Sequence, residues 1–364
     1  MEEIISPTTK KVAKPFKTYQ VMIPVLLGLL VIGWLFLSEF NPKVFLTFDF
    51  TIVSAMFILL AFLLMMLRDF GMIWRFRFLT DGDLSWKQAF HINILSEFTT
   101  AVTPAAIGGS SLVVIFLIKE GINAGRSTTI MFVNLFLDEL FFILICPFIF
   151  LFIPLNELFN SSSVIVSTFG IVFGTLYVIR LFWISILFIG TFKRPNWIRH
   201  MLLTLFKLPV LRRWYSNVDL LTNNLVQASH DIGCRSFWFW AKAFGMTMLT
   251  WTARFLVVNA IFMAFVPIKD HLVIFARQLI LWVVMVVSPT PGGSGVSEYA
   301  FKEYYKDIFS SNRVSSESAI IFVTLIWRII SYYLYLLLGA LVIPNWIKKT
   351  FTKNNHEIEN TTQD

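Results

Sequence analysis

The chain has 364 residues, 57% of them hydrophobic and 14% charged, with a mean hydropathy of +0.72 and a formal net charge of +8. No ordinary soluble domain has that composition, so the chain reads as a polytopic membrane protein. The positive charge then bears on topology and on contact with anionic lipid, and no nucleic-acid partner is expected.

Residues 1–18 read as a basic cytoplasmic tail carrying Lys10, Lys11, Lys14 and Lys17. Span one covers about 20–38, with Pro24 in its first turn, and no small-residue cleavage site follows it. Span two covers about 50–67. Arg68, Arg75, Arg77 and Lys87 come next and read as a cytoplasmic segment, with Trp74 and Trp86 as interface anchors. A broken hairpin follows at about 88–118. Its break is Thr103-Pro104-Ala105-Ala106-Ile107-Gly108-Gly109-Ser110-Ser111, set between two apolar runs.

Span three covers about 127–153, and the loop 154–163 carries no Lys or Arg, as an external loop would. Span four covers about 164–190. It leads into a loop with Lys193, Arg194, Arg199, Lys207, Arg212, Arg213 and Arg235, which the positive-inside rule makes cytoplasmic. Within that loop, residues 197–214 have the mixture of an interfacial helix. Span five covers about 237–266. A second broken hairpin follows at about 272–309, interrupted at Ser288-Pro289-Thr290-Pro291-Gly292-Gly293-Ser294-Gly295-Val296-Ser297-Glu298. Span six covers about 317–342, and Lys348, Lys349 and Lys353 make the tail 343–364 cytoplasmic.

The expected fold is therefore all-α: about six spanning helices plus two re-entrant helical hairpins of opposite orientation, in one membrane domain at 19–342. Two prolines and three glycines within seven residues at the second break cannot continue a helix, and broken backbone at membrane depth survives only where protein buries it or a wet cavity borders it. Paired breaks in two halves point to a transporter-type site. Repeat one covers about 50–153, the connector and basic loop 154–236, and repeat two, with every direction reversed, 237–342.

No Gly-x4-Gly-Lys-Ser/Thr, His-Glu-x-x-His or Cys-x-x-Cys motif occurs, so neither metal nor cofactor is expected. Cys146 sits in an apolar span and Cys234 in the basic loop, a poor arrangement for a disulfide. Ionisable residues within apolar spans are the remaining signal, because they are costly there. They are Asp138, Glu139, Arg180, Arg254, Arg277 and Arg328, with Glu97 and Glu298 beside the breaks. The plain alternative is snorkelling for the arginines and helix-end capping or interface exposure for the glutamates. Arg254 and Arg328 lie more than two turns inside their spans and are expected to share an interior cavity, with Asp138 as their resting counter-charge. Arginine can grip phosphate through two parallel bonds, and helix ends with glycine amides would add donors.

At the two breaks the chain resembles the membrane domain of the lysylphosphatidylglycerol synthetase/flippase-like family. The likeness rests on Pro289-Thr290-Pro291-Gly292-Gly293-Ser294-Gly295 with Glu298. It rests also on Thr103-Pro104-Ala105-Ala106-Ile107-Gly108-Gly109 followed by Lys119-Glu120-Gly121-Ile122, and on Trp327-Arg328 with the aromatic and leucine run to Gly339. The chain departs from the family at Ser110-Ser111, where members often carry Gln-Pro or Glu, and at Asn134 and Leu135, where many carry Glu-Arg. Nothing of domain size follows residue 342, so the soluble aminoacyl-transferase part of two-part members is not expected here. The resemblance implies a module of the bacterial inner membrane that moves or binds lipid.

The resulting expectation is translocation of an anionic phospholipid or lipid-linked precursor between leaflets, with no catalytic residue. The expected lipid-binding residues are Pro104, Gly108, Gly109, Ser110, Pro289, Pro291, Gly292, Gly293, Gly295, Glu298, Arg254 and Arg328. The alternatives are a membrane-embedded lipid-modifying transferase with Glu97 or Glu298 as general base, and a non-catalytic lipid-binding subunit. Besides lipid, the partners left open are a second copy of the chain and a separate lipid-synthesising enzyme.

Overall fold

The computed structural model describes residues 51–103, 107–159, 164–207, 215–266, 270–286, 292–310 and 316–344, together with Ile268, Ser288, Thr290 and Trp346. Span one, the N-terminal tail and, apart from Ile343, Pro344 and Trp346, the tail 343–364 lie outside these residues. The described residues form helices and short connections, with no strand among them. The helices are α1 (Ile52–Leu79), α2 (Trp86–Val102), α3 (Ile107–Lys119), α4 (Ala124–Phe152), α5 (Leu155–Phe159) and α6 (Val164–Phe188), then α7 (Pro195–Leu205), α8 (Tyr215–Gly233), α9 (Phe237–Phe265), α10 (His271–Met285), α11 (Val296–Ser310) and α12 (Ser316–Arg328). A π-helical turn at Ile189–Lys193 extends α6, and another at Ile329–Tyr333 carries α12 on to Pro344.

Five of these are long and apolar enough to cross a bilayer: α1, α4, α6, α9 and α12 with its extension. They match expected spans two to six. The helices of the two broken segments are shorter, at 17 and 13 residues for α2 and α3 and 15 each for α10 and α11. At about 1.5 Å per residue all four fall short of a hydrocarbon layer of about 30 Å.

Helix α1 corrects the sequence reading. It runs past the expected end at residue 67 to Leu79, so Arg68, Arg75 and Arg77 are helical, and Arg68 and Arg75 are buried. Carboxylates from neighbouring helices neutralise the two buried arginines, and a hydropathy average along one segment cannot see such partners. The helix stops where the sequence has turn residues, with Asp81 at φ 55° and Gly82 at φ 86°. Ser85 and Gln88 then form a reciprocal capping box that starts α2.

α1 packs along α9 more extensively than any other helix pair. Gly71 permits the approach: a Cβ there would lie 2.4 Å from Thr250 Oγ1. The largest buried cluster joins α9, α10, α11 and α12, with Phe262 edge-on to Tyr305 and Phe309 at 5.1 and 5.3 Å. Arg277 of α10 donates two hydrogen bonds to Asp307 of α11, at 2.6 and 2.7 Å, and another to the Glu157 carbonyl at 2.7 Å. That guanidinium clamps the two arms of the second hairpin to α5. Arg180 likewise does not snorkel alone, since it donates to Glu139 at 2.6 Å.

Candidate functional site at the two helix breaks

The two breaks meet. The Gly292 amide donates to the Thr103 carbonyl at 3.4 Å, and the Tyr332 hydroxyl donates to the Ala101 carbonyl at 3.1 Å. Tyr332 stands in the π turn of α12, a distortion that re-aims side chains and recurs at functional sites. Its hydroxyl also accepts from Ser294 at 3.1 Å, so one tyrosine bridges both breaks.

Beside this junction lies a cavity of about 110 Å³, room for several waters or a phosphate-sized group. Its polar lining includes Glu97, Arg254, Gln278, Ser297 and Arg328, and its apolar wall includes Trp282 and Trp327. Gly292 and Gly293 border it as well.

Two ionic groups serve the cavity. In the first, Arg68 donates to Asp69 at 2.7 Å and to Glu97. Asp69 also accepts from Asn93 at 3.1 Å and from the Tyr335 hydroxyl at 2.5 Å. Arg254 approaches the other Glu97 oxygen at 3.8 Å, an ion pair longer than a hydrogen bond, and its guanidinium lies 4.0 Å over the Trp282 ring. Arg68 and Arg254 sit near the middle of α1 and α9 and hold one glutamate between them. In the second group, buried Arg328 donates to Glu298 and, at 3.3 Å, to the Gly292 carbonyl, with its guanidinium 4.3 Å over the Tyr332 ring.

Arg254 and Arg328 thus line one cavity, but Asp138 is the counter-charge of neither. It accepts from Arg75 at 2.6 and 3.1 Å and from Trp251 Nε1 at 2.9 Å. Arg328 is matched by Glu298 and Arg254 by Glu97. The reason is proximity across helices: α11 presents Glu298 in its first turn against α12, whereas Asp138 faces Arg75 on α1. Asp138 and Glu139, adjacent in sequence, take different arginines, as their angular separation on a helix dictates.

The amides named as phosphate donors need a second correction. Gly292 and Gly293 already donate to the Thr103 and Thr290 carbonyls, at 3.4 and 3.0 Å. These glycines shape the turn, with φ of 56° and 72°, rather than presenting open donors. Gly295, at φ 80°, has open space where a Cβ would be. Gly108, Gly109 and Ser110 fall in the first turn of α3, while Pro104, Pro289 and Pro291 lie outside the described residues. Arg68, Asp69 and Tyr335 were missed as part of the site. The available signal was the spacing of seven between Arg68 and Arg75, which puts both on one face of an apolar helix with no break until Asp81-Gly82.

Arg68 holds one oxygen of Glu97, and Arg328 holds one oxygen of Glu298. What the cavity offers is recognition: an arginine with donor capacity to spare, aromatic walls and a few polar groups in a largely apolar lining.

The model of the lysylphosphatidylglycerol synthase transmembrane region matches residues 21–339. A protein of Archaeoglobus fulgidus described as a UPF0104 membrane protein is 24% identical over 309 residues, covering 82% of this chain and 89% of that protein. No solved structure matches the chain.

Proposed function

Because the chain belongs to the lysylphosphatidylglycerol synthase transmembrane-region family, we propose that it carries the headgroup of an anionic lipid between bilayer leaflets through the cavity at the two breaks. The observation that carries this reading is Arg254. An arginine in an apolar interior persists only with a partner or a wet cavity. Arg254 has both, but its ion pair with Glu97 spans 3.8 Å and leaves donors available to a phosphate. Trp282 beneath it holds the guanidinium plane in place.

In this reading the two hairpins are re-entrant, enter from opposite faces and form an inverted repeat. Their short arms and the meeting of their tips support that arrangement. The extensive packing of α1 on α9, which occupy matching places in the two units, supports it too. The basic loop after α6 supports a cytoplasmic membrane with both termini inside. Cysteines introduced at the exposed positions Lys87 and Asp270 test the topology. Lys87→Cys should label from the cytoplasm and Asp270→Cys from outside, and labelling of both from one face would overturn the inverted repeat.

Transport is tested in phosphatidylcholine vesicles containing fluorescent phosphatidylglycerol, read by the fraction protected from an outer-leaflet quencher. Arg254→Ala should slow exchange by about 10- to 100-fold, the value of a hydrogen bond to a charged group of about 1.5–3 kcal/mol. Arg254→Lys should fall between, since lysine keeps the charge but not the fork or the stacking. Unchanged exchange in both variants would remove Arg254 from the path.

A further inference from the structure

We infer that the cavity takes a proton together with each anionic headgroup, and that Glu97 is the residue that accepts it. This rests on reading the cavity as an anion site. The carrying observation is the charge balance: Arg68, Arg254 and Arg328 face Asp69, Glu97 and Glu298, and the resting site is neutral. A headgroup phosphate would bring a further negative charge into a space lined largely by apolar side chains. Uncompensated charge there is costly, and a single proton restores neutrality.

Only one of the three carboxylates is placed to take that proton. Both oxygens of Asp69 are engaged, by Arg68 and Asn93 on one side and Tyr335 on the other. Glu298 is held by Arg328 on one oxygen and by the Ser297 hydroxyl, at 3.1 Å, on the other. Glu97 differs. Arg68 holds its Oε1, while among the described residues its Oε2 has only Arg254 at 3.8 Å, and Glu97 itself lines the cavity.

The charged and titratable groups facing Glu97 are Arg68 and Asp69 from α1, Arg254 from α9 and, through Asp69, Tyr335 from α12. At rest Glu97 is paired with the two arginines. A phosphate that docks on Arg254 replaces Glu97 as its counter-ion and sits against Oε2. Repulsion between the two anions then favours transfer of a proton from solvent to Oε2. The carboxylate becomes a carboxylic acid, which can donate a hydrogen bond to the phosphate. Release of the lipid returns Glu97 to Arg254 and frees the proton. Anion and proton therefore move together, and a pH difference across the membrane would bias the direction of transport.

The test is calorimetric titration of the full-length protein, in phosphatidylcholine nanodiscs, with dihexanoyl-phosphatidylglycerol. It is run in two buffers of different ionisation enthalpy. The expected result is uptake of close to one proton per lipid bound. Affinity should weaken as pH rises, by up to about tenfold per pH unit for one linked proton. Glu97→Gln should bind without proton uptake, and its affinity should not vary with pH. Binding by the unmodified protein with no proton uptake overturns this inference and leaves the anion site standing. Absence of binding overturns both. Proton uptake that persists in Glu97→Gln assigns the proton elsewhere and overturns the role given to Glu97.

Discussion

Gly292→Ala is expected to abolish lipid exchange and to lower the melting temperature by several degrees, whereas Gly293→Ala should do much less. Gly292 holds φ at 56°, in the left-handed region, where a side chain costs about 1–2 kcal/mol. The added Cβ would also lie 2.1 Å from Tyr332 Cε2 and 2.9 Å from the Ala101 carbonyl oxygen. Tyr332 cannot swing aside without losing its hydrogen bonds to Ala101 and Ser294, and the carbonyl is backbone. Relief therefore requires the two breaks to separate, and overpacking of this kind costs about 1–3 kcal/mol more. Gly293 shares the positive φ, but a Cβ there meets Ser297 at an ordinary 3.6 Å. The measurements are thermal unfolding in detergent and exchange of fluorescent phosphatidylglycerol in vesicles. Equal losses in the two variants would refute the argument from contact between the breaks.

The second large effect is expected at Arg328. Both Arg328 and Glu298 are buried, so Arg328→Ala leaves an uncompensated carboxylate beside the Gly292 turn. Breaking a buried pair on one side costs about 3–5 kcal/mol, a large share of a typical folding free energy. Arg328→Lys keeps a charge but cannot serve Glu298 and the Gly292 carbonyl with one rigid fork, so it should be intermediate. The paired replacement Arg328→Leu with Glu298→Leu discriminates structure from transport. It removes both charges together and should recover much of the lost stability, while lipid exchange stays low because the cavity has lost one of its arginines. If the paired variant is as unstable as Arg328→Ala, the pair is not what the single variant disrupts.

Much of the architecture is legible in the residues themselves. Apolar runs of bilayer length can only be spans, and α1, α4, α6, α9 and α12 appear where they are expected. Prolines and glycines interrupt the apolar sequence at two places, and the helices stop there for local steric reasons that need no tertiary context. That Arg254 and Arg328 line a cavity is legible on the same grounds, since an arginine deep in an apolar span demands a partner or water. Which carboxylate answers each arginine is not legible. Asp138 is a reasonable guess on matching positions in the two units, but helix rotation sends it to Arg75, brings Glu97 to the cavity and sets Glu298 against Arg328.

Sequence by itself therefore determined the membrane class, the order of the described spans, the two breaks and the presence of buried charge. These follow from the solubility of side chains and the stereochemistry of single residues. Tertiary structure alone decided that α1 continues through Arg68 and Arg75, that the breaks touch through Tyr332, and that Arg68, Glu97 and Arg254 form one cluster. Those outcomes depend on distances between residues far apart in the chain. Ion pairing acts over a few ångströms, and only the packing of the helices determines which charges come that close.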